Sequence, residues 1–385
     1  MNQNTQEFFF GPSHRKVEIG DFITLCKNSE ITLTSGAKIS NFPVAYKTFG
    51  KLNEHKTNAI LVCHALTGDQ YLLGEHPVTG KPGWWEEYVG PDKPIDTNKF
   101  CVIVPNVLGG CMGSYGPKNI NPKTNKPYNL DFPVITISDM VKVQHILIEA
   151  LGIKKLASVM GGSMGGMQVL EWISKYPENV NSSIVMAASA KHSAQNIAFN
   201  EIGRQAVMAD PDWCGGNYIA EGKYPSKGLS IARMMAHITY LSEAGLQRKF
   251  GRKLQNKSEL SYGFDADFQV ESYLRHQGMS FVERFDPNSY LYITRAMDYF
   301  DLAEDFGGSL ALAFERTKCP VCVVSFTSDW LFTTEDSKQV VRALSASSSD
   351  VSFVEIVSDK GHDSFLLPDE SLAKTISGFL SKLEL

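Results

Sequence analysis

The chain has no run approaching the ~20 consecutive apolar residues that a membrane-spanning helix needs. The stretch Met1–Gly20 is polar around a short Phe8-Phe9-Phe10 cluster and lacks the apolar centre of a secretory signal. Seven cysteines, an odd number scattered over 385 residues, fit reduced thiols better than a disulfide framework. Excess charge of one sign is missing too: 37 basic against 42 acidic residues leave a net of −5, with no global attraction for nucleic acid or an anionic membrane. No internal repeat or low-complexity tract is present, and no histidine–carboxylate spacing suggests a metal. Gly109-Gly110-Cys111-Met112-Gly113 falls short of a dinucleotide-binding G-x-G-x-x-G and reads as shaping a pocket mouth. Cys319-x-x-Cys322 has no second pair, and Cys322 opens an apolar strand. These absences predict a cytoplasmic protein with no bound cofactor, no metal, and no nucleic-acid or membrane partner.

What remains is an ordinary globular composition, 43% hydrophobic and 21% charged, long enough to bury a large core. Two alternating stretches around Ser35-Gly36 suggest a hairpin, followed by a strand at Phe42–Phe49. Short apolar runs at Ala59–Cys63, Phe100–Pro105, Leu156–Met160 and Ser183–Ala187 predict buried strands. A helix is expected from about Asp139 to Leu151, with Met140, Val143, Leu147 and Ala150 on one face, Ser138 as N-cap and Gly152 as its stop. After Ala188 helical patterns dominate to about Glu315, for example Gly228–Ser242 and Pro287–Leu302. The strand–helix rhythm then resumes with Val321–Phe326, Thr334–Leu344, Val351–Val357 and Pro368–Leu385. This alternation predicts an α/β fold with a mostly parallel sheet flanked by helices. Residues 1–187 and 316–385 would form the core, and 188–315 a helical lid inserted into it.

Gly161-Gly162-Ser163-Met164-Gly165-Gly166 contains G-x-S-x-G. An apolar strand precedes it and the amphipathic stretch Met167–Tyr176 follows, which is the strand–turn–helix context of a nucleophile elbow. Ser163 is therefore the candidate nucleophile of an acyl-transfer enzyme with an α/β-hydrolase fold. A serine hydroxyl needs a base, and the base an orienting acid, in the order Ser, Asp or Glu, His. Asp329 directly follows the strand Val321–Phe326, and His362, the last of nine histidines, follows Val351–Val357. An oxyanion needs two amides: that of Met164, beside the helix N-terminus, and one from the loop after Ala59–Cys63, for which Leu66 is preferred. His64, at the end of an early strand, reads as structural, and Trp84-Trp85 as core or loop anchors.

Taken together, these residues resemble the homoserine O-acetyltransferases of methionine biosynthesis. The likeness runs through Cys63-His64-Ala65-Leu66-Thr67-Gly68, Asn106–Ser114, Gly161–Gly166, Ala232-Arg233-Met234, His237-Ile238-Thr239-Tyr240 and Gly361-His362-Asp363. Tyr115 departs from it, standing where the family often has threonine. The resemblance implies a triad of Ser163, Asp329 and His362. It implies that Arg233, helped by Tyr240, holds the carboxylate of L-homoserine and that Asp363 receives its ammonium, a sensible clamp for a zwitterion. It also implies a ping-pong transfer from acetyl-CoA as co-substrate, and a homodimer built on lid helices. Succinyl-using relatives carry arginine at the position of Leu331, so the acyl pocket should prefer acetyl. Homoserine O-succinyl transfer, serine O-acetyl transfer and a serine esterase are the alternatives on the same scaffold.

Overall fold

The computed structural model describes residues 6–13, 15–19 and 21–383. Both ends of the polar Met1–Gly20 stretch, and the last two residues of the helix expected to reach Leu385, lie outside them. Eight strands form the central sheet: β1 (Phe22–Leu25), β2 (Phe42–Phe49), β3 (Ala59–Cys63), β4 (Cys101–Pro105), β5 (Ser158–Gly162), β6 (Ser183–Met186), β7 (Val321–Phe326) and β8 (Val351–Ile356). Their order across the sheet is β8-β7-β6-β5-β3-β4-β2-β1. From β4 to β8 neighbours run parallel, while β2 is antiparallel to both β4 and β1.

The central strands are buried on both faces, so they read as unbroken apolar runs. In β3, Leu61 and Cys63 face a layer with Met140, Leu147 and Trp172, whereas Ile60 and Val62 face Trp85, Phe365 and Leu372 on the other side. The hairpin around Ser35-Gly36 forms from Ile31–Thr32 and Lys38–Ile39. Strand β5 sits two residues later than the apolar run suggests: its ladder pairs Ser158 with Ile60 and Gly162 with Met186, and Leu156 makes only an isolated bridge to Val180.

Helix α1 (Ile137–Ala150) and helix α2 (Met164–Lys175) pack on each other. The N-cap of α1 is Thr136, not Ser138: Thr136 and Asp139 exchange hydrogen bonds in a capping box, an arrangement that contributes about 1 kcal/mol. Ala150, expected on the inner face, is exposed. Between β6 and β7 come α3 (Ala194–Met208), α4 (Ser226–Tyr240), α5 (Glu243–Lys249), α6 (Gln269–Val282) and α7 (Pro287–Asp298). Helix α4 packs against both α3 and α6 and touches the turn that carries His362. After β7 come α8 (Thr334–Ala346) and α9 (Glu370–Leu380). Among the described residues no helix is long and apolar enough to cross a membrane. The chain has the α/β-hydrolase fold, with the C-terminal ends of β3, β5, β7 and β8 opening under the inserted helices.

Candidate active site

Ser163 lies between β5 and α2 with φ 59° and ψ −127°, a conformation that L residues rarely adopt and that the surrounding contacts must hold. Its amide donates to the Met186 carbonyl of β6, and its carbonyl accepts from Met167 in the first turn of α2. The turn is closed by a tight approach. A Cβ on Gly165 would stand 2.1 Å from the Cys63 carbonyl oxygen at the end of β3, so only glycine lets α2 start there.

The Ser163 hydroxyl lies 2.8 Å from His362 Nε2, and His362 Nδ1 lies 2.7 Å from Asp329 Oδ2. The other Asp329 oxygen accepts from the amides of Leu331 and Phe332 at 3.0 and 2.9 Å, which fixes the carboxylate's rotation. With Asp329 as acceptor, Nδ1 carries the proton and Nε2 is left to accept from Ser163. His362 is almost fully buried, packed among Phe332, Phe365 and Tyr240. Burial alone would lower its pKa. The charge and hydrogen bond of Asp329, with help from Asp363, outweigh that and leave it raised above the ordinary histidine value.

The loop bearing His362 is anchored on the end of α4. Gly361, at φ 74°, faces the backbone of Tyr240, Leu241 and Ser242 so closely that a Cβ would lie 2.5–2.7 Å from it. Trp330 Nε1 donates to the Leu241 carbonyl, tying the Asp329 loop to the end of α4 as well. Trp85 Nε1 donates to the Phe365 carbonyl and Trp84 Nε1 to that of Asp69, so the paired tryptophans anchor two loops of the site.

Leu66, Ser163, Tyr240 and Leu331 line one cavity of about 40 Å³. The amides of Leu66 and Met164 make no hydrogen bond among the described residues, so both donors are open. His64, behind Leu66, is buried; its Nε2 accepts from the Val107 amide at 3.2 Å, which puts the proton on Nδ1, facing the Ala65 carbonyl at 2.8 Å. Burial holds its pKa down, in keeping with a neutral brace.

Arg233 and Tyr240 lie two turns apart on one face of α4. The guanidinium rests 5.4 Å from the Tyr240 ring centre and 4.9 Å from that of Phe281, and donates to the Thr67 hydroxyl at 3.3 Å. It forms no ion pair among the described residues, and its Nε is buried without a partner. Burial lowers its pKa; Tyr240 and Asp363 oppose that and Arg284 adds to it. Arg233 lines a second cleft, of about 210 Å³, together with Thr67, Asp69 and Arg284, and is not among the residues lining the Ser163 cavity. The Asp363 carboxyl is pushed up by burial, with His362 and Arg233 pulling the other way, and is likewise without an ion-pair partner among the described residues.

Several residues that sequence reasoning missed also build this region. Asn196 and His192 line the Ser163 cavity, and Asn196 Nδ2 donates to the Leu331 carbonyl at 3.1 Å. Arg284, two residues past the end of α6, donates to Asp69 Oδ2 and to the Thr67 carbonyl, tying the loop after β3 to the inserted helices. Tyr115, the departure from the family pattern, stands apart from this site, in an aromatic cluster with Phe42, Tyr128 and Phe132, and donates to the Tyr128 hydroxyl. A larger cavity, about 640 Å³, lies between the N-terminal hairpin and the segment around Tyr218 and contains none of the candidate residues.

Comparison with known proteins sharpens this description. Residues 58–369 match the family model of the alpha/beta hydrolase fold. A homoserine O-acetyltransferase of Rhodospirillum rubrum is 62% identical over 358 residues, which is 93% of this chain and 92% of that protein. The crystal structure of a homoserine O-acetyltransferase from Bacillus anthracis matches with a TM-score of 0.85 at 28% identity, covering 94% of this chain and 97% of that one. Esterase E22 matches almost as well, with a TM-score of 0.83 at 29% identity over 93% of this chain and 98% of its own. Backbone shape is thus common to transferases and esterases, and the 62% identity in sequence sets this chain beside the transferases.

Proposed function

We infer, since the chain belongs to the homoserine O-acetyltransferase family of α/β-hydrolase-fold acyltransferases, that it moves an acetyl group from acetyl-CoA to the hydroxyl of L-homoserine by way of an acyl-Ser163 intermediate. The observation that carries this reading is the hydrogen-bonded chain Ser163–His362–Asp329 together with an arginine in the cleft lined by Thr67, Arg233, that has no ion-pair partner among the described residues. His362 takes the Ser163 proton as the hydroxyl attacks the thioester carbonyl. The amides of Leu66 and Met164 receive the oxyanion, each worth a few kcal/mol in the transition state. CoA leaves as the thiol with the proton from His362. The homoserine hydroxyl then gives its proton to His362 and attacks the acyl carbonyl, and O-acetylhomoserine departs as Ser163 recovers its proton.

An acyl intermediate must meet homoserine before water. Arg233 and Tyr240 would take the homoserine carboxylate and Asp363 its ammonium, and the inserted helices of 188–315 would act as the lid that excludes solvent. Acetyl is favoured over succinyl because Leu331, in the lining of the Ser163 cavity, supplies no charge there. A succinyl carboxylate in that cavity would need a cation, and none of its lining residues is lysine or arginine.

The setting in this reading is cytoplasmic methionine biosynthesis, with no bound cofactor. A homodimer through lid helices fits the exposed isoleucines Ile231 and Ile238, which recur at a spacing of two turns on α4. The test is a steady-state assay with acetyl-CoA or succinyl-CoA against homoserine, serine and water. CoA release that ignores the amino acid would mean an esterase-like enzyme instead, and faster turnover with serine would replace the acceptor.

A further inference from the structure

Beneath the candidate oxyanion site runs a chain of buried amides that the reaction scheme above does not use. Gln168, on α2, is fully buried. Its Nε2 donates to the carbonyl of His64 at 3.2 Å and to the carbonyl of Met164 at 3.1 Å. Its Oε1 accepts from Gln144 Nε2 of α1 at 2.6 Å, and Gln144 Oε1 accepts from Trp172 Nε1 at 2.8 Å. The Cys63 thiol lies against the same Gln144 oxygen at 3.7 Å.

The polarity of this chain is forced. An indole N–H can only donate, so Gln144 must present its oxygen to Trp172 and its NH₂ group to Gln168. Gln168 must then present its oxygen to Gln144, which leaves both of its N–H bonds for the two backbone carbonyls. Each carbonyl lies one peptide plane from a proposed oxyanion donor: His64 C=O precedes the Leu66 N–H, and Met164 C=O follows the Met164 N–H. The two segments also meet where Gly165 presses on the Cys63 carbonyl.

We propose that Gln168 is a positioning residue for the oxyanion site: by cross-linking the carbonyls of His64 and Met164 it fixes the spacing of the Leu66 and Met164 amides. Trp172 and Gln144 keep it from rotating its amide the wrong way round. This rests on the assignment of Leu66 and Met164 as the donors.

The test uses Gln168→Met, which keeps the volume and removes the amide. Loss of a direct oxyanion donor costs 10²–10³ in rate, so loss of the cross-link should lower kcat/KM for acetyl-CoA by ~10- to 100-fold, with KM for homoserine unchanged. The deciding readout is the ratio of kcat/KM for acetyl-CoA to that for its dithioester analogue, in which sulfur replaces the carbonyl oxygen and accepts hydrogen bonds weakly. The ratio should fall toward one in Gln168→Met and by a smaller factor in Trp172→Phe, where Gln144 and Gln168 are free to turn over. If Gln168→Met does not fold, the same ratio in Trp172→Phe decides. A wild-type ratio in a folded variant overturns the proposal. If the wild-type protein does not use acetyl-CoA, the donor reading fails on its own. The ratio is then read between phenyl acetate and its thionoester, where the role of Gln168 stands or falls separately.

Discussion

The two oxygens of Asp329 face different partners: Oδ2 lies 2.7 Å from His362 Nδ1, while Oδ1 accepts from the amides of Leu331 and Phe332. An asparagine there must keep its oxygen toward those two amides, so its NH₂ group would face Nδ1. That orientation demands the opposite histidine tautomer, with a proton on Nε2 pointing at Ser163. Asp329→Asn should therefore keep the fold and lower kcat by roughly 10³- to 10⁴-fold, measured by CoA release.

In the proposed mechanism the acid side of the pH profile belongs to His362, which must be neutral to accept the Ser163 proton. Its pKa is raised: burial opposes the protonated form, but the Asp329 carboxylate and hydrogen bond prevail. A raised value means that protonation, and loss of activity, set in at a higher pH than for an ordinary histidine. The acid limb of kcat/KM should have its midpoint above about 6.5, and Asp329→Asn should move it down. A limb below the ordinary histidine value in the wild-type protein would contradict this assignment.

In the proposed mechanism Arg233 serves the amino acid and not the acyl donor. Arg233→Gln should raise KM for homoserine by ~30-fold or more, the effect of removing one side of a desolvated charge pair worth at least about 2 kcal/mol. The burst of CoA released before homoserine is added should keep its wild-type amplitude and rate. A burst that disappears along with homoserine binding would move Arg233 to the acyl-transfer step.

Leu331 lines the same cavity as Ser163, with its backbone carbonyl held by Asn196. Leu331→Arg would put a cation where a succinyl carboxylate could meet it. The ratio of succinyl-CoA to acetyl-CoA turnover should rise at least ~10-fold, the effect of about 1.4 kcal/mol from a charge-assisted contact. An unchanged ratio would locate acyl selection elsewhere.

Gly165→Ala would drive a Cβ to 2.1 Å from the Cys63 carbonyl oxygen, backbone against backbone. The helix must shift from the end of β3, at a cost of about 1–3 kcal/mol read from urea unfolding, with loss of acyl transfer as the elbow moves. Retained stability and activity together would show that α2 can retreat without disturbing Ser163.

Ser163, Asp329 and His362 were legible because each lies in the turn or loop past the end of a strand that shows as an apolar run, and the parallel sheet brings the ends of those strands together. Boundaries were less so. The glycines Gly161 and Gly162 lack the apolar signature of β5, yet its ladder runs through them. At α1, Thr136 takes the cap from Ser138 because Asp139 can answer it. Arg284 and Asp69 stand 215 residues apart, and no local pattern announces that pair. Gln144 and Gln168 left a fainter trace, as amides on the buried faces of two helices, where an apolar residue would be expected unless a polar partner waits inside.

The account depends above all on Ser163 carrying the acyl group. Purified enzyme mixed with acetyl-CoA in the absence of homoserine, quenched and analysed by peptide mass spectrometry, should show one added acetyl group on the peptide containing Ser163. Chasing with homoserine should remove it and yield O-acetylhomoserine. Acetyl transfer at the wild-type rate with no such adduct, or in Ser163→Ala, would contradict the account.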